Sequence, residues 1–390
     1  MTQGWISSLS HLIFIVIIIF LWKSNSKHKI QIATGLIILS SFFGLHWIYI
    51  SLHKFGGLNS FLAILATGIL SFYVASYYLI SGILIRKFKM GPICIASVIC
   101  IAEWTKSNFL TGFPWLNIGV NQVDSIFSFY APFLGSFGVG FLATYFAALV
   151  CYSRKWCLIF AVFISSLAGI LNFSSNSIKP NGNLLNVVLV QGSIPQDLKF
   201  ISYEEQKAIS THLGLMQSAL EKYPETDLIV FPETAFTMPW SKLDQKTQNK
   251  IKVLLTKNDS TLMTGIPITD GNEWKNSLVA LKVNSFSELK IIGIYNKHHL
   301  VPFGEFIPLG FAWFIEMMNI PLGNFSRGEL PQKPIKIKNQ FLGVNICFED
   351  LFGDEIANIF SQKNSFNQPN ILLNVSNLAW FGNSNALDYH

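Results

Sequence analysis

A helical membrane domain of several spans joined to an α/β domain is the fold class this sequence predicts, and three observations predict it. Only 13% of the 390 residues are charged while 51% are hydrophobic, against about 25% charged in soluble globular domains. Charge is unevenly divided: residues 1–172 carry 10 Lys and Arg against 2 acids, a net +8, and residues 173–390 carry 18 against 20, a net −2. The hydrophobic pattern also changes after Phe173, from runs of membrane length to short β-branched runs separated by amphipathic stretches. The same composition excludes a disordered regulator, a disulfide-stapled secreted module and a nucleic-acid binder working through a basic surface.

The first domain, residues 1–173, holds about six apolar stretches: Ile6–Trp22, Ile30–Leu52, Leu58–Ile85, Gly91–Ala102 running on toward Phe109, Ile126–Tyr152 and Trp156–Phe173. Crossing about 30 Å of hydrocarbon takes roughly 17–25 helical residues, so the fourth qualifies only if Glu103 lies near an interface or is paired. Lys106, one helical turn on, is its nearest partner. The first stretch lacks the basic start and small-residue cleavage site of a signal peptide.

Basic residues cluster in alternate connections. Lys23, Lys27 and Lys29 follow the first span, Arg86, Lys87 and Lys89 the third, and Arg154 and Lys155 the fifth, whereas the other connections hold only Lys54 and Lys106. The positive-inside rule assigns the three basic turns to the cytoplasm, which sends everything after Phe173 to the extracytoplasmic side. Four cysteines (Cys94, Cys100, Cys151 and Cys157) lie in or beside spans and read as small buried hydrophobes. Cys347 stands alone in the exported half, without a disulfide partner, which is consistent with a reactive thiol.

A polar linker over 174–183 leads to the second domain, 184–390. Strands are expected at Leu184–Val190, Leu228–Phe231, Thr261–Ile266, Ser277–Val283, Leu289–Tyr295, Phe341–Ile346 and Ile371–Val375. Helices are expected over Tyr203–Lys222, where Ile209, Leu213, Met216 and Leu220 recur at helical spacing, around Ile251–Leu255, and near Leu351–Phe360. Alternating strands and helices with buried apolar runs imply an α/β sheet covered on its faces.

Three polar residues fall just beyond strand ends, where α/β proteins build their sites: Glu233, Lys297 and Cys347. Singly, each has an ordinary reading: a carboxylate in a first helical turn, a solvated lysine, a core thiol. Together they supply a nucleophile, a base for its proton and a cation for an oxyanion. The histidines show no metal-ligand spacing, and no Gly-rich phosphate loop is present, so no metal or cofactor is expected.

Those residues, in the contexts Phe231-Pro232-Glu233, Tyr295-Asn296-Lys297 and Asn345-Ile346-Cys347-Phe348-Glu349, resemble the Glu-Lys-Cys triad of the nitrilase superfamily. Further motifs resemble the apolipoprotein N-acyltransferase family of the bacterial inner membrane: Gly112-Phe113-Pro114-Trp115-Leu116, Val190-Gln191-Gly192-Ser193-Ile194-Pro195-Gln196, Leu300-Val301-Pro302-Phe303-Gly304-Glu305, Ser326-Arg327-Gly328 and Trp380-Phe381-Gly382. The resemblance implies a nitrilase-like αββα sandwich in the periplasm. It also implies ping-pong transfer of an acyl chain from a phospholipid to the amino group of a diacylglyceryl-cysteine on an apolipoprotein, through a thioester. Cys347 would be the nucleophile, Glu233 the base and Lys297 the oxyanion stabiliser. Glu305 and Glu349 would support them, with Phe348, Phe200 and Trp380 at further supporting positions. The aromatic stretch after Lys297 (Phe303, Phe306, Phe311, Trp313 and Phe314) reads either as ordinary core packing or as an arm reaching into lipid.

Phe348 stands where the family has Tyr, Phe200 where it has Trp, Leu378 where it has Asp, and Lys106 where it tends to have Arg. The resemblance further implies an additional N-terminal helix and a closing C-terminal segment that this chain does not show. The expectation is a catalytic domain incomplete at its C-terminus and an impaired enzyme unless a second polypeptide completes it. A membrane-tethered nitrilase-type amidase and an inactive remnant are the alternatives.

Overall fold

The computed structural model describes residues 4–174, 184–199, 202–271, 273–315, 325–361 and 367–389. The chain divides into two compact units, one comprising Met1–Tyr49, Asn59–Pro180 and Ser384–His390, the other Ile50–Leu58 and Asn181–Asn383. Of the expected linker, residues 175–183 lie outside the described residues.

Five helices of the first unit are long and apolar enough to cross a membrane: Trp5–Lys23, Lys27–Leu45, Ser60–Lys87, Ile126–Tyr152 and Arg154–Leu171. The sequence supplies their ends. Asn59 caps the third by accepting from Leu62 N at 3.0 Å, and Lys23 closes the first by donating to the Cys151 carbonyl at 2.6 Å while lying over the Tyr152 ring. Fully buried alanines (Ala33, Ala63, Ala75, Ala143 and Ala147) let the helices approach closely, the packing expected where solvent gives no hydrophobic drive. Two expected spans differ in detail. The second is straight only to Leu45 and continues through a short helix, Trp47–Ile50, into a wide turn over Ser51–Phe55. The fifth opens as a tight 3₁₀ turn, Ile126–Tyr130, before its α-helix.

The fourth expected span is the helix Pro92–Asn108, only 17 residues long, with Pro92 in its first turn. Its two charges face inward as an i, i+3 pair, Lys106 Nζ lying 3.1 Å from Glu103 Oε2. The Lys106 ammonium also donates to Tyr78 Oη at 3.1 Å and the Trp115 carbonyl at 3.0 Å, and the Tyr78 hydroxyl donates to Glu103. Burying an ion costs several kcal/mol unless a partner and further hydrogen bonds replace its water. Both charges have such replacements, so this helix keeps charged residues inside the unit.

The second unit holds two sheets. In the larger, β1 (Val187–Leu189), β2 (Leu228–Val230) and β3 (Thr261–Asp270) run parallel, and β4 (Glu273–Val283) and β5 (Leu289–Asn296) continue antiparallel in the same order. In the smaller, β6 (Ile335–Ile337) pairs antiparallel with β7 (Gln340–Ile346), which pairs parallel with β8 (Ile371–Val375). Helices Ser202–Lys222 and Gln245–Asn258 bury Ile209, Leu213, Met216, Ile251 and Leu255 against Ile229, Leu262, Val279 and Leu281 of the larger sheet. Asp244 caps the second of these through Thr247 N at 2.9 Å, and Asp259, at φ 48°, ends it in the left-handed conformation that closes helices. The two sheets meet where β5 has no side chain: a Cβ on Gly293 would lie 2.9 Å from Ile335 of β6. With the helix Gly353–Ile359 beside β7, the order of layers is helix, sheet, sheet, helix.

Candidate active site

The three expected residues leave their strands at one end of this sandwich. Glu233 follows β2, Lys297 follows β5 and Cys347 follows β7. One of them sits on strained backbone and another directly precedes a strained residue. Cys347 has φ 59° at the start of a 3₁₀ turn, and Thr234, directly after Glu233, has φ 51°. Non-glycine residues with positive φ are uncommon and concentrate at functional turns. The Glu233 turn is further fixed by Gly265 of β3, where a Cβ would fall 2.4 Å from Thr234 N and 2.7 Å from Glu233 Cα. Gly265→Ala must therefore displace this turn. The expected cost is about 1–3 kcal/mol of stability, read from thermal unfolding, with loss of Cys347 reactivity.

Glu233, Lys297 and Glu305 are buried and bonded to one another. Lys297 Nζ lies 3.1 Å from Glu233 Oε1 and 3.0 Å from Glu305 Oε1. Asn276 Nδ2 donates to the same two oxygens, at 2.8 and 2.7 Å. The Asn377 amide donates to Glu233 Oε2 at 2.9 Å, and Val301 N to Glu305 Oε2 at 2.8 Å. Burial raises the Glu233 carboxyl, but the Lys297 charge and the hydrogen bonds outweigh it and hold Glu233 below the usual carboxylate range. Burial pulls Lys297 down, but Glu233 and Glu305 hold it well above the ordinary lysine value. Burial pushes the Cys347 thiol up to about 12, with Glu233 adding to the rise and Lys297 opposing it. At rest the site is thus a carboxylate, an ammonium and a neutral thiol.

Glu349 takes four donors. Its Oε1 accepts from His298 N at 2.7 Å and His299 N at 2.9 Å, and its Oε2 from Ile346 N at 2.6 Å and Tyr295 Oη at 3.0 Å. It therefore joins the backbone beside Lys297 to the backbone beside Cys347. Burial still raises its carboxyl above the ordinary value, the backbone donors opposing this. Phe348 lies buried with Lys297 Nζ 5.8 Å from its ring centroid, so it packs where a tyrosine would without supplying a hydroxyl. Trp380, on the turn Leu378–Phe381, stacks edge-on against Phe55 at 6.0 Å. Phe200 lies outside the described residues, as does the side chain of Phe314. In the aromatic stretch, Phe303 and Phe311 form an edge contact, while Leu309 and Trp313 are exposed.

Three residues of the network have no sequence signal for it: Asn276, Asn377 and Lys199. Asn276 is a buried amide in the first half of β4, and Asn377 lies two residues past β8, at a strand end like the others. Gln196 belongs to a motif already singled out, and its Oε1 accepts from Asn377 Nδ2 at 3.0 Å. Among the described residues no group of three His, Cys, Asp or Glu side chains is placed to hold a metal ion.

A helix-sheet-sheet-helix sandwich with a Glu, a Lys and a Cys at converging strand ends defines the carbon-nitrogen hydrolase class, and the family model described as carbon-nitrogen hydrolase matches residues 186–390. A second model, the apolipoprotein N-acyltransferase N-terminal domain, matches residues 5–149. Curated relatives agree along most of the chain. A protein of Ralstonia nicotianae named apolipoprotein N-acyltransferase is 35% identical over 363 residues, covering 89% of this chain and 67% of its own. Proteins of the same name from Bordetella bronchiseptica (32%, covering 89% and 70%) and Nitrosomonas europaea (31%, covering 95% and 74%) match similarly. This chain belongs to the apolipoprotein N-acyltransferase family, an enzyme family, and is a membrane protein.

Proposed function

We propose that this enzyme transfers an acyl chain from the sn-1 ester of a phospholipid to the N-terminal amino group of the diacylglyceryl-cysteine of an apolipoprotein, by way of a thioester on Cys347. The observation that carries this reading is the buried ion-paired cluster of Glu233, Lys297 and Glu305 at the strand ends that also carry Cys347, in a chain with apolar helices of membrane length.

In the first half-reaction the thiol proton passes to Glu233 as Sγ attacks the ester carbonyl. Two of the three Lys297 N–H bonds are spent on Glu233 and Glu305, and the third is available to the developing oxyanion. Collapse breaks the ester C–O bond, and the proton on Glu233 goes to the departing oxygen, giving a lysophospholipid and the thioester. In the second half-reaction the acceptor amine attacks the thioester, Glu233 takes the amine's proton, the C–S bond breaks, and the proton returns to sulfur. Glu349, Phe348 and Trp380 support these groups.

Residues 1–173 are read as the membrane domain of about six crossings in the bacterial inner membrane, 174–183 as a linker and 184–390 as the periplasmic catalytic domain. The Pro92–Asn108 helix is the shortest crossing. The exposed side chains of Leu309, Phe311 and Trp313 suit an arm lying in the acyl boundary beside the site, where water is scarce and a thioester survives.

The test is incubation of the purified enzyme with phospholipid labelled in its headgroup portion. Release of labelled lysophospholipid that requires Cys347 is expected. Ammonia release from simple amides with no lysophospholipid would instead assign a membrane-tethered amidase, and neither product would mark an inactive chain.

A further inference from the structure

Lys199 places a second buried ammonium at the site. It is 6% exposed, and its Nζ donates to the Glu233 main-chain carbonyl at 3.4 Å. The turn that carries it holds Glu233 at a second point as well. Gln196 accepts from Asn377 Nδ2 at 3.0 Å, and Asn377 in turn donates its backbone N–H to Glu233 Oε2 at 2.9 Å.

The charges facing this point make the ammonium consequential. Around the one ammonium of Lys297 stand three buried carboxyl groups, Glu233 after β2 with Glu305 and Glu349, and the Cys347 thiol. From the helix Ser202–Lys222, the titratable neighbour is His212. Its Nδ1 is engaged with the Ala208 carbonyl at 2.8 Å, and its buried Nε2 has no partner among the described residues. A carboxylate in so negative a surrounding tends to keep a proton, and a protonated Glu233 cannot serve as a base. Lys297 offsets this at the carboxylate end of Glu233. Lys199 is the cation on its main-chain side.

We propose that Lys199 is a positioning residue of the acyl-transfer reaction, whose charge keeps Glu233 ionised, and so able to take the Cys347 proton, to a lower pH than Lys297 alone would allow. This rests on the reading of Glu233 as the base for Cys347. Consistent with a group packed against protein and not in water, burial pulls the Lys199 ammonium down to about 8 while Glu233 holds it up.

The experiment measures the rate at which iodoacetamide alkylates Cys347 in the detergent-solubilised chain from about pH 2 to about pH 9, a range that reaches below the usual carboxylate value where Glu233 is held. Mass spectrometry of the peptide separates Cys347 from the four other cysteines. The rate falls on the acid side where Glu233 takes up a proton. In Lys199→Met that acid limb should move up by about one pH unit, the displacement expected for removing one neighbouring opposite charge. Lys199→Arg should leave it in place. If Lys199→Met does not accumulate as folded protein, Lys199→Gln, which keeps a donor and removes only the charge, carries the same expectation. An unmoved limb in the charge-removing variant, with or without a uniform loss of rate, overturns the role of Lys199. Glu233→Gln should erase the limb altogether. A limb that persists there rejects the base assignment itself, a failure recognisable apart from the first.

Discussion

Cys347→Ala is expected to leave no acyl-enzyme and no transfer. Incubated with phospholipid labelled in the sn-1 chain, then denatured, the parent enzyme should retain label that hydroxylamine releases, and the variant should retain none. The expectation is absolute because the other groups at this point cannot replace sulfur. Glu233 and Lys297 are already bonded to each other and to Asn276 and Glu305. Removing the thiol should also leave the fold intact. Cys347 is one small side chain, and the turn that holds it is anchored by Glu349 on Ile346 N and by Asn374 on the Cys347 carbonyl. Label retained at the parent level would eliminate the thioester route.

Glu233→Gln should slow acyl-enzyme formation by about 10²–10⁴-fold, the usual contribution of a positioned base. The amide keeps the volume and can still accept from Lys297 and Asn276 through its oxygen. Its NH₂ then points at Asn377 N, donor against donor, where the carboxylate had an acceptor. The proton problem is the larger one. The thiol is held near 12, so an attacking thiolate is rare unless a neighbour accepts its proton as the bond forms. Single-turnover measurement of acyl-enzyme accumulation separates this step from deacylation. A rate within a few-fold of the parent would remove Glu233 from the chemistry.

The strands that position the site were legible because each is a compact β-branched or apolar run, and Glu233, Lys297 and Cys347 each stand where such a run stops. The Glu103–Lys106 pairing was legible for a similar reason: three residues on a helix put both charges on one face, and neither tolerates burial alone. Other parts of the site and fold have no sequence pattern to announce them. β6 is three residues long, too short for alternation to stand out from a loop. Asn276, through its side-chain amide, and Asn377, through its backbone N–H, each reach Glu233, across 43 and 144 residues of chain. Lys199 looks like any surface lysine until the fold encloses it. Hydropathy carries the second span on to Leu52; it does not register the change in helical winding after Leu45.

Glu349 has a consequence that reaches past its own hydrogen bonds. Lys297 is carried by one sheet and Cys347 by the other, and a single carboxylate is the rivet between the peptide groups flanking them. The separation of cation and sulfur is therefore a fixed dimension of the layered scaffold, set by how the two sheets are stacked. A small slip between those layers would be amplified into mistimed proton and charge transfer, so anything that tightens or loosens their stacking, even at a distance, tunes the reactive centre.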